Sequence, residues 1–358
     1  MIATLALKLL AIGSSRTTPP FPLLEASGSA TGSLVAVGRL CGGADSFAAL
    51  VNATTGELVV LRGPTPHVAA RFALPELKDA RSVLAVNVAP GGGADELVVG
   101  VGTDVLVVAF THVDNNSCTA ASVVSRVSGT GSAALAPLPA VDGLDGVLTV
   151  SETGARPFAE LRWDSGELHI VNTSSLGLPA AALKGCSWSG AGATAAQLVV
   201  ACAEPAPKSG EGHAVRTFAY AATDLARPLA NRTVALVAPL LQLLVADVYG
   251  DGAPLGLLVD ALSNAEMLWL TAGEAPLASA GRFTFEPNAT AARKWRSVAA
   301  GRLLSTSDGH TLPAESQILA LREPVGNADF EISMLLYARP NHWLRRAASF
   351  SNLRATQV

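Results

Sequence analysis

Aromatic and charged residues are scarce in this sequence. Phe, Trp and Tyr make up 5% of its 358 residues, and Asp, Glu, Lys and Arg together only 15%. So little charge excludes a disordered chain, and so few rings exclude a core built on large aromatic side chains. No basic stripe with interleaved aromatics is present and the net charge is −4, so nucleic acid is not an expected partner. The longest apolar stretch, "TVALVAPLLQLLVA" (233–246), is broken by Pro239 and Gln242 and falls short of the ~20 residues of a membrane span. Catalytic and metal signatures are missing as well. The six histidines stand singly with no HExxH, no cysteine pair has CxxC spacing, and no G-x-S-x-G elbow occurs. The Gly-rich "APGGGADE" (89–96) leads into a strand and lacks a P-loop lysine, so it reads as a turn.

What the chain has in abundance is small and β-branched apolar residues, arranged in a repeat. The windows "LVAVGRLCGGADSFAALV" (34–51), "VLAVNVAPGGGADELVVG" (83–100), "ALAPLPAVDGLDGVLTVS" (134–151) and "LLVADVYGDGAPLGLLVD" (243–260) share one design. Each is a short apolar strand, a turn rich in Gly and Asp, and a second apolar strand. Residues 185–203 give a weaker copy, and residues 297–322 a copy with an insertion in its turn. Further strand-like runs such as "TGELVVLRG" and "GTDVLVVAFTH" follow each copy. Four short strands in every ~50–60 residues, without helical periodicity, predict an all-β fold: a β-propeller of six to seven four-stranded blades. The first strands (34–40, 83–88, 133–138, 243–248 and 297–303) are expected to line the central channel, where only small side chains fit. Residues 14–33 are expected either to complete the last blade or to belong to a seventh.

Domain boundaries follow. Residues 17–346 form the propeller and 347–358 a tail. Residues 1–16, "MIATLALKLLAIGSSR", read either as a short signal peptide or as a truncated leader, since Lys8 interrupts the apolar stretch.

The compartment is indicated by five N-x-[ST] sequons at Asn52, Asn115, Asn172, Asn231 and Asn288, spaced 57 to 63 residues apart. With 11 Asn residues, chance gives about one or two. A glycoprotein of the secretory pathway is expected, secreted or on the cell surface. Four cysteines suit that compartment. Cys186 and Cys202 flank one strand pair and are the expected bridge, with Cys41 and Cys118 as the second, although four cysteines allow three pairings.

"ADVYGDGAPLGLLV" and "WRSVAAGRL…ESQILALR" resemble the FG-GAP/VCBS repeat, the blade unit of integrin-α-type propellers, over roughly residues 30–340. The resemblance implies a loop of pattern D-x-[DN]-x-D-G-x-x-D that often cradles calcium. It also implies a fold used for adhesion, glycan binding, or a non-catalytic role beside an enzyme domain. In the best copy Asp247 and Asp251 take the first and fifth places, but Tyr249 and Leu255 take the third and ninth. Calcium needs six to eight oxygen ligands, and two carboxylates are few. The other copies place Gly38 and Gly42, Asn87 and Gly91, or Leu138 and Asp142 there. These stretches therefore read as hairpin turns, with Gly42-Gly43, Gly91-Gly92, Asp142-Gly143 and Asp251-Gly252 supplying positive φ. No cofactor is expected, and Asp247 and Asp251 are the calcium candidates.

Two further sets of candidates remain. Trp188 and Trp295, at the entrance of a blade's first strand, either stack on a sugar ring or pack between blades. Glu96, Asp142, Asp247 and Glu315 come from equivalent regions of different blades, where distant acids can gather at a channel mouth. The function expected is a non-catalytic binding module for an extracellular protein or glycan. The alternatives are an accessory propeller of a secreted carbohydrate-active enzyme, or a hydrolase with acids at the channel mouth.

Overall fold

The computed structural model describes residues 33–42, 47–62, 67–91, 94–114, 117–130, 134–151, 158–174, 186–190, 197–204, 212–221, 224–248, 253–270, 276–284, 295–301, 317–322, 331–338 and 343–350. Strands β1 (Ser33–Gly38), β2 (Phe47–Asn52), β3 (Glu57–Arg62) and β4 (His67–Ala73) form the first sheet. The second contains β5 (Ala80–Val86), β6 (Glu96–Val101), β7 (Asp104–Asp114) and β8 (Ser117–Val127). The third contains β9 (Ala134–Val141), β10 (Leu144–Val150), β11 (Phe158–Asp164) and β12 (Glu167–Ser174). Strands β13 (Cys186–Gly190), β14 (Gln197–Ala203), β15 (His213–Ala221) and β16 (Asp224–Leu236) make the fourth. The fifth is β17 (Leu240–Ala246), β18 (Leu255–Asp260), β19 (Asn264–Trp269) and β20 (Ser279–Thr284). The last is β21 (Trp295–Gly301), β22 (Gln317–Arg322), β23 (Glu331–Ala338) and β24 (Trp343–Phe350). In this sixth sheet the strand pairing is described but few side chains are.

Every sheet is an antiparallel meander with its strands in chain order. The first strands pack side by side around a ring: β1 against β5, β5 against β9, β9 against β13, β13 against β17, β17 against β21, and β21 against β1. The fold is a β-propeller of four-stranded blades. The only helical element among the described residues is one short 3-10 turn, Pro75–Leu77.

The core lies between blades. Strand β18 is buried along its whole length, and β2 and β3 nearly so. Both of their faces meet a neighbouring sheet, which is why these strands read as continuous apolar runs instead of alternating. One apolar cluster joins Phe47, Val51 and Leu58 of the first blade to Leu97, Val99 and Leu106 of the second. Another joins Val98 and Val107 to Leu135, Val147 and Leu161 of the third. Leu148 and Phe158 then meet Leu198, Phe218 and Tyr220 of the fourth.

The first strands depart from the sequence expectation at their starts. Strands β5, β17 and β21 begin two to three residues earlier than 83, 243 and 297. Each carries a register shift at its entry, between Ala80 and Ser82, Leu240 and Gln242, and Trp295 and Ser297. The extra residue breaks the alternation that marks a strand, so the sequence pattern begins only beyond it. The last sheet takes all four strands from residues 295–350, and Ser33 belongs to β1, so no strand of the described chain is shared between the first and last blades. Residues 1–32, which include the segment 1–16, lie outside the described residues. Strand β24 continues to Phe350, into the stretch expected as tail.

Candidate binding face at the channel mouth

In a meander the turn after a blade's first strand and the turn after its third leave at the same end. The Gly- and Asp-rich loops therefore surround one mouth of the channel. The channel itself contains a cavity of about 210 Å³ lined by the first strands of five blades, with Val35, Val83, Leu135, Val245 and Ala299 among the lining residues and Gln242 the polar side chain.

The turns behave as their composition requires. Asp142 (φ 54°) and Gly143 (φ 83°) form the two-residue connection from β9 to β10, the positive-φ pair of a type I′ hairpin. Gly42 (φ 76°) and Gly91 (φ 142°) also hold positive φ. Gly43, Gly92 and Gly252 lie outside the described residues.

Between the first three blades the mouth is tied by polar contacts. The Arg39 N–H donates to Asp95 Oδ2 at 2.7 Å, the Arg39 guanidinium reaches Asp95 Oδ1 at 3.4 Å, and the Asp95 N–H donates to the Arg39 carbonyl at 3.0 Å. One blade further on, the Asp145 N–H donates to the Asn87 carbonyl at 2.8 Å, and Asn87 Nδ2 to the Gly143 carbonyl at 3.3 Å. Gly38 makes the first of these approaches possible. A Cβ there would lie 2.5 Å from Ala85 Cβ and 2.8 Å from Asp95 Oδ2.

Two carboxyls at this mouth are held above their ordinary range. Burial raises Glu96, against the pull of hydrogen bonds from the Ala89 and Val88 N–H groups, and the Asp95 charge adds to the rise. Burial also raises Asp145. A backbone hydrogen bond from Asn87 opposes the rise, Asp95 adds to it, and the Arg162 and Arg39 charges oppose it. Arg162 is positioned by Glu160, at 3.0 Å on its own strand, and lies over Gly146, where any Cβ would meet its guanidinium.

The acids proposed from sequence divide differently. Glu96 turns its carboxylate into its own loop, accepting from Val88 N–H at 2.9 Å and Ala89 N–H at 3.1 Å. Asp142 sits exposed in its tight turn, and Asp247 is half-buried just past β17. Asp251, Tyr249 and Glu315 lie outside the described residues, and no three His, Cys, Asp or Glu gather as metal donors among the described ones. Trp188 lies mid-strand in β13, opposite Val200, instead of at a strand entrance. Trp295 opens β21 opposite Arg322. The side chains of both lie outside the described residues.

Asp95, Arg39 and Arg162 were not singled out by sequence, and Asn87 only as a loop position, yet a signal exists for all but Arg162. Arg39 to Asp95, Asn87 to Gly143, Ser187 to Leu243 and Gln242 to Val298 are all hydrogen-bonded pairs separated by 56 residues. First strands begin 47 to 55 residues apart, so polar residues separated by about one blade are candidates for contact between neighbouring blades.

Three of the five sequon asparagines lie within the described residues, two of them on outer strands. Asn172 in β12 and Asn231 in β16 are exposed. Asn52 is half-buried at the end of β2, its Oδ1 accepting from Thr54 N–H at 2.9 Å and Thr55 N–H at 3.2 Å. Asn115 and Asn288 lie outside the described residues. All four cysteines are paired. Cys186 and Cys202 bridge directly opposite positions of β13 and β14, whereas Cys41, just past β1, joins Cys118 in β8 and so ties the first blade to the second.

No protein-family model matches the chain, and no curated protein matches it in sequence. Among solved structures it is similar to a crystal structure of BBS1N in complex with ARL6DN soaked with lead, with TM-score 0.44, 11% identity, and 87% of this chain and 80% of that chain covered. It is similar also to the same complex soaked with mercury, with TM-score 0.46, 11% identity, and 88% and 81% covered.

Proposed function

We propose that this chain is a secreted or cell-surface glycoprotein whose propeller binds an extracellular protein or glycan through the loops at its channel mouth, without catalysis of its own. The ring is six-bladed in this reading, supported by six four-stranded sheets whose first strands pack in one closed cycle. It is a propeller of FG-GAP/VCBS type, supported by the Asp-rich loop after Ala246, which joins the first and second strands of a blade.

The observation that carries the binding role is how the charges at the mouth are used. Asp95 is committed to Arg39, Glu96 to two backbone N–H groups, and Arg162 to Glu160. Groups engaged in this way fix loop shape, as a recognition surface requires, and are poorly placed to exchange protons with a substrate. The compartment is supported by two disulfides and by the exposure of Asn172 and Asn231.

The test is a glycan and protein binding array with secreted, glycosylated protein. Arg39→Glu and Asp142→Lys are expected to lose the ligand while keeping the folded circular dichroism spectrum, with a small fall in melting temperature from the Asp95 contact and the positive-φ turn that they disturb. Unchanged binding in both variants would move the site away from the mouth. A hydrolase reading has one observation in its favour, the raised carboxyls of Glu96 and Asp145. Turnover of chromogenic glycosides that disappears in Asp145→Asn would favour it.

A further inference from the structure

Every blade's outer strand carries the same irregularity. In the pairing of third with fourth strand, one residue of the fourth is skipped: Ala69 in β4, Val124 in β8, Val171 in β12, Leu229 in β16, Ala280 in β20 and Ala347 in β24. These outer strands end their sheets, so one edge of each is unpaired. Such an edge is a template for pairing with another chain, and a bulge is one way to blunt it.

A bulge alone leaves the rest of the edge open, and a second device follows it. Two residues past the bulge stand Arg71, Arg126 and Arg282 in the first, second and fifth blades, and Arg346 directly precedes the bulge in the last. Arg71, Arg126 and Arg282 pair with Glu57, Asp104 and Glu266 of their own third strands. A long charged side chain held there opposes edge-to-edge pairing. The third blade lacks it, and the fourth has instead Arg227 and Pro228 just ahead of its bulge. Two residues past the bulge these blades have Thr173 and Asn231, within the sequons Asn172-Thr173-Ser174 and Asn231-Arg232-Thr233. Arg232 is directed elsewhere, donating to the Leu277 carbonyl at 3.1 Å and so joining the fourth blade to the fifth.

These two edges are also the more hazardous ones. Val171 is 54% exposed, Ile170 40% and Leu229 57%. With Val124 of the second blade they account for four of the six large exposed hydrophobic residues among those described. Strand β12 from Ile170 to Ser174 contains no charge at all.

We infer that N-linked glycans on Asn172 and Asn231 cover the apolar outer edges of β12 and β16 and block strand pairing there, in the place where the first, second and fifth blades use arginine. The inference rests on the glycoprotein reading and gives two of its sugars a structural task. Both asparagines are exposed, as attachment of the bulky group requires. A glycan rooted in the edge strand denies a second strand room to align along it.

The experiment uses the full chain from a secretory host. Glycosidase treatment of wild type with mass measurement first establishes that Asn172 and Asn231 carry glycans; an unmodified pair would overturn both the glycoprotein reading and this inference. Asn172→Gln/Asn231→Gln, and separately Ser174→Ala/Thr233→Ala, then remove the two sugars. Light scattering is expected to show a shift from the mass of one chain to that of dimers and larger species as concentration rises, with the melting temperature retained. Should a variant fail to be secreted, enzymatic trimming of the folded wild type reads the same quantity. Asn172→Gln/Thr173→Arg/Asn231→Arg, which installs the charge of the first, second and fifth blades, is expected to restore the single-chain mass. Glycosylated wild type that remains a single chain after the sugars are removed would overturn the inference while leaving the glycoprotein reading intact.

Discussion

Asp260 offers the sharpest test of how blades are joined. It ends β18, its side chain is fully buried, and its carboxylate is surrounded by donors. Oδ1 accepts from the N–H groups of Leu262 and Asn264, each at 2.9 Å. Oδ2 accepts from the Ala238 N–H at 3.1 Å and from Asn264 Nδ2 at 2.9 Å. Ala238 belongs to the link between β16 and β17, so one carboxylate fastens a hairpin turn to the connection between the fourth and fifth blades. Asp260→Ala leaves these donors buried with no acceptor. A hydrogen bond to a charged group contributes about 1.5–3 kcal/mol, and such losses do not add fully, so a cost of about 4 kcal/mol is expected. Asp260→Asn keeps one oxygen but turns an amide donor toward the others, and about 2 kcal/mol is expected. At ~2.1 cal/mol/K for each of roughly 320 residues, the alanine variant should melt about 6 °C below wild type and the asparagine variant about 3 °C below. Thermal unfolding followed by circular dichroism reads both. If Asp260→Ala melts within about 1 °C of wild type, the carboxylate does not hold these elements together and the reasoning fails.

Other outcomes follow from the same structure. Because burial raises Glu96 above its ordinary 4.5, its contribution to stability is fully present below pH 4.5 and is lost as pH rises through the folded-state value. Glu96→Gln, which retains an oxygen for Val88 and Ala89, should therefore melt at or above wild type at neutral pH and lose that advantage in acid; the opposite pH trend would refute the assignment. On the chain-entropy model, removing the Cys41–Cys118 bridge, whose ends are 77 residues apart, should cost about 4.5 kcal/mol, and removing Cys186–Cys202, 16 apart, about 3 kcal/mol. Paired Cys→Ala variants compared by denaturant midpoint check that order. Gly38→Ala should cost about 1–3 kcal/mol by forcing the first two blades apart, and a neutral result would mean that the approach of Ala85 and Asp95 is easily relaxed. Chelator should leave the melting temperature unchanged; a calcium-dependent rise abolished by Asp251→Ala would establish a metal loop after β17.

The propeller was legible because blade strands buried on both faces are short continuous apolar runs, and such groups recur at intervals of 47 to 55 residues. The type I′ turn at Asp142-Gly143 was legible for a local reason, since few residues adopt positive φ. Strand starts were not. The shifts beside Arg81, Leu241 and Arg296 insert one residue out of phase, and a period-2 pattern carries no mark of where an unpaired residue sits. The outer-strand bulges were hidden in the same way. Glu96 was visible as an acid near the mouth, but not as the acceptor for Val88 and Ala89. That role depends on the loop folding back, which no local pattern encodes. Arg39 and Asp95 meet only because two blades stand side by side, and their separation of 56 gains meaning once the blade period is known.

A ring of blades has two kinds of free strand edge, and they differ in hazard. The inner edges of β1, β5, β9, β13, β17 and β21 face a channel already crowded by their own side chains, and two of their N–H groups, of Leu243 and Val298, find acceptors in Ser187 and Gln242 of the preceding blade. No foreign strand can reach them. The outer edges face solvent, so the sequence has to blunt them, and all six contain a bulge at the corresponding place. This repetition counts against strand addition at the rim as the binding mode, because the feature that would recruit a partner strand is the one disrupted in every blade. Among the described residues, the loops at the mouth carry no such device. Their turns are held by Gly and Asp, their charges are fixed by contacts within a loop, along a strand or between blades, and their side chains remain free to differ from blade to blade. On these grounds the mouth, and not the rim, is where a partner of this propeller is to be sought.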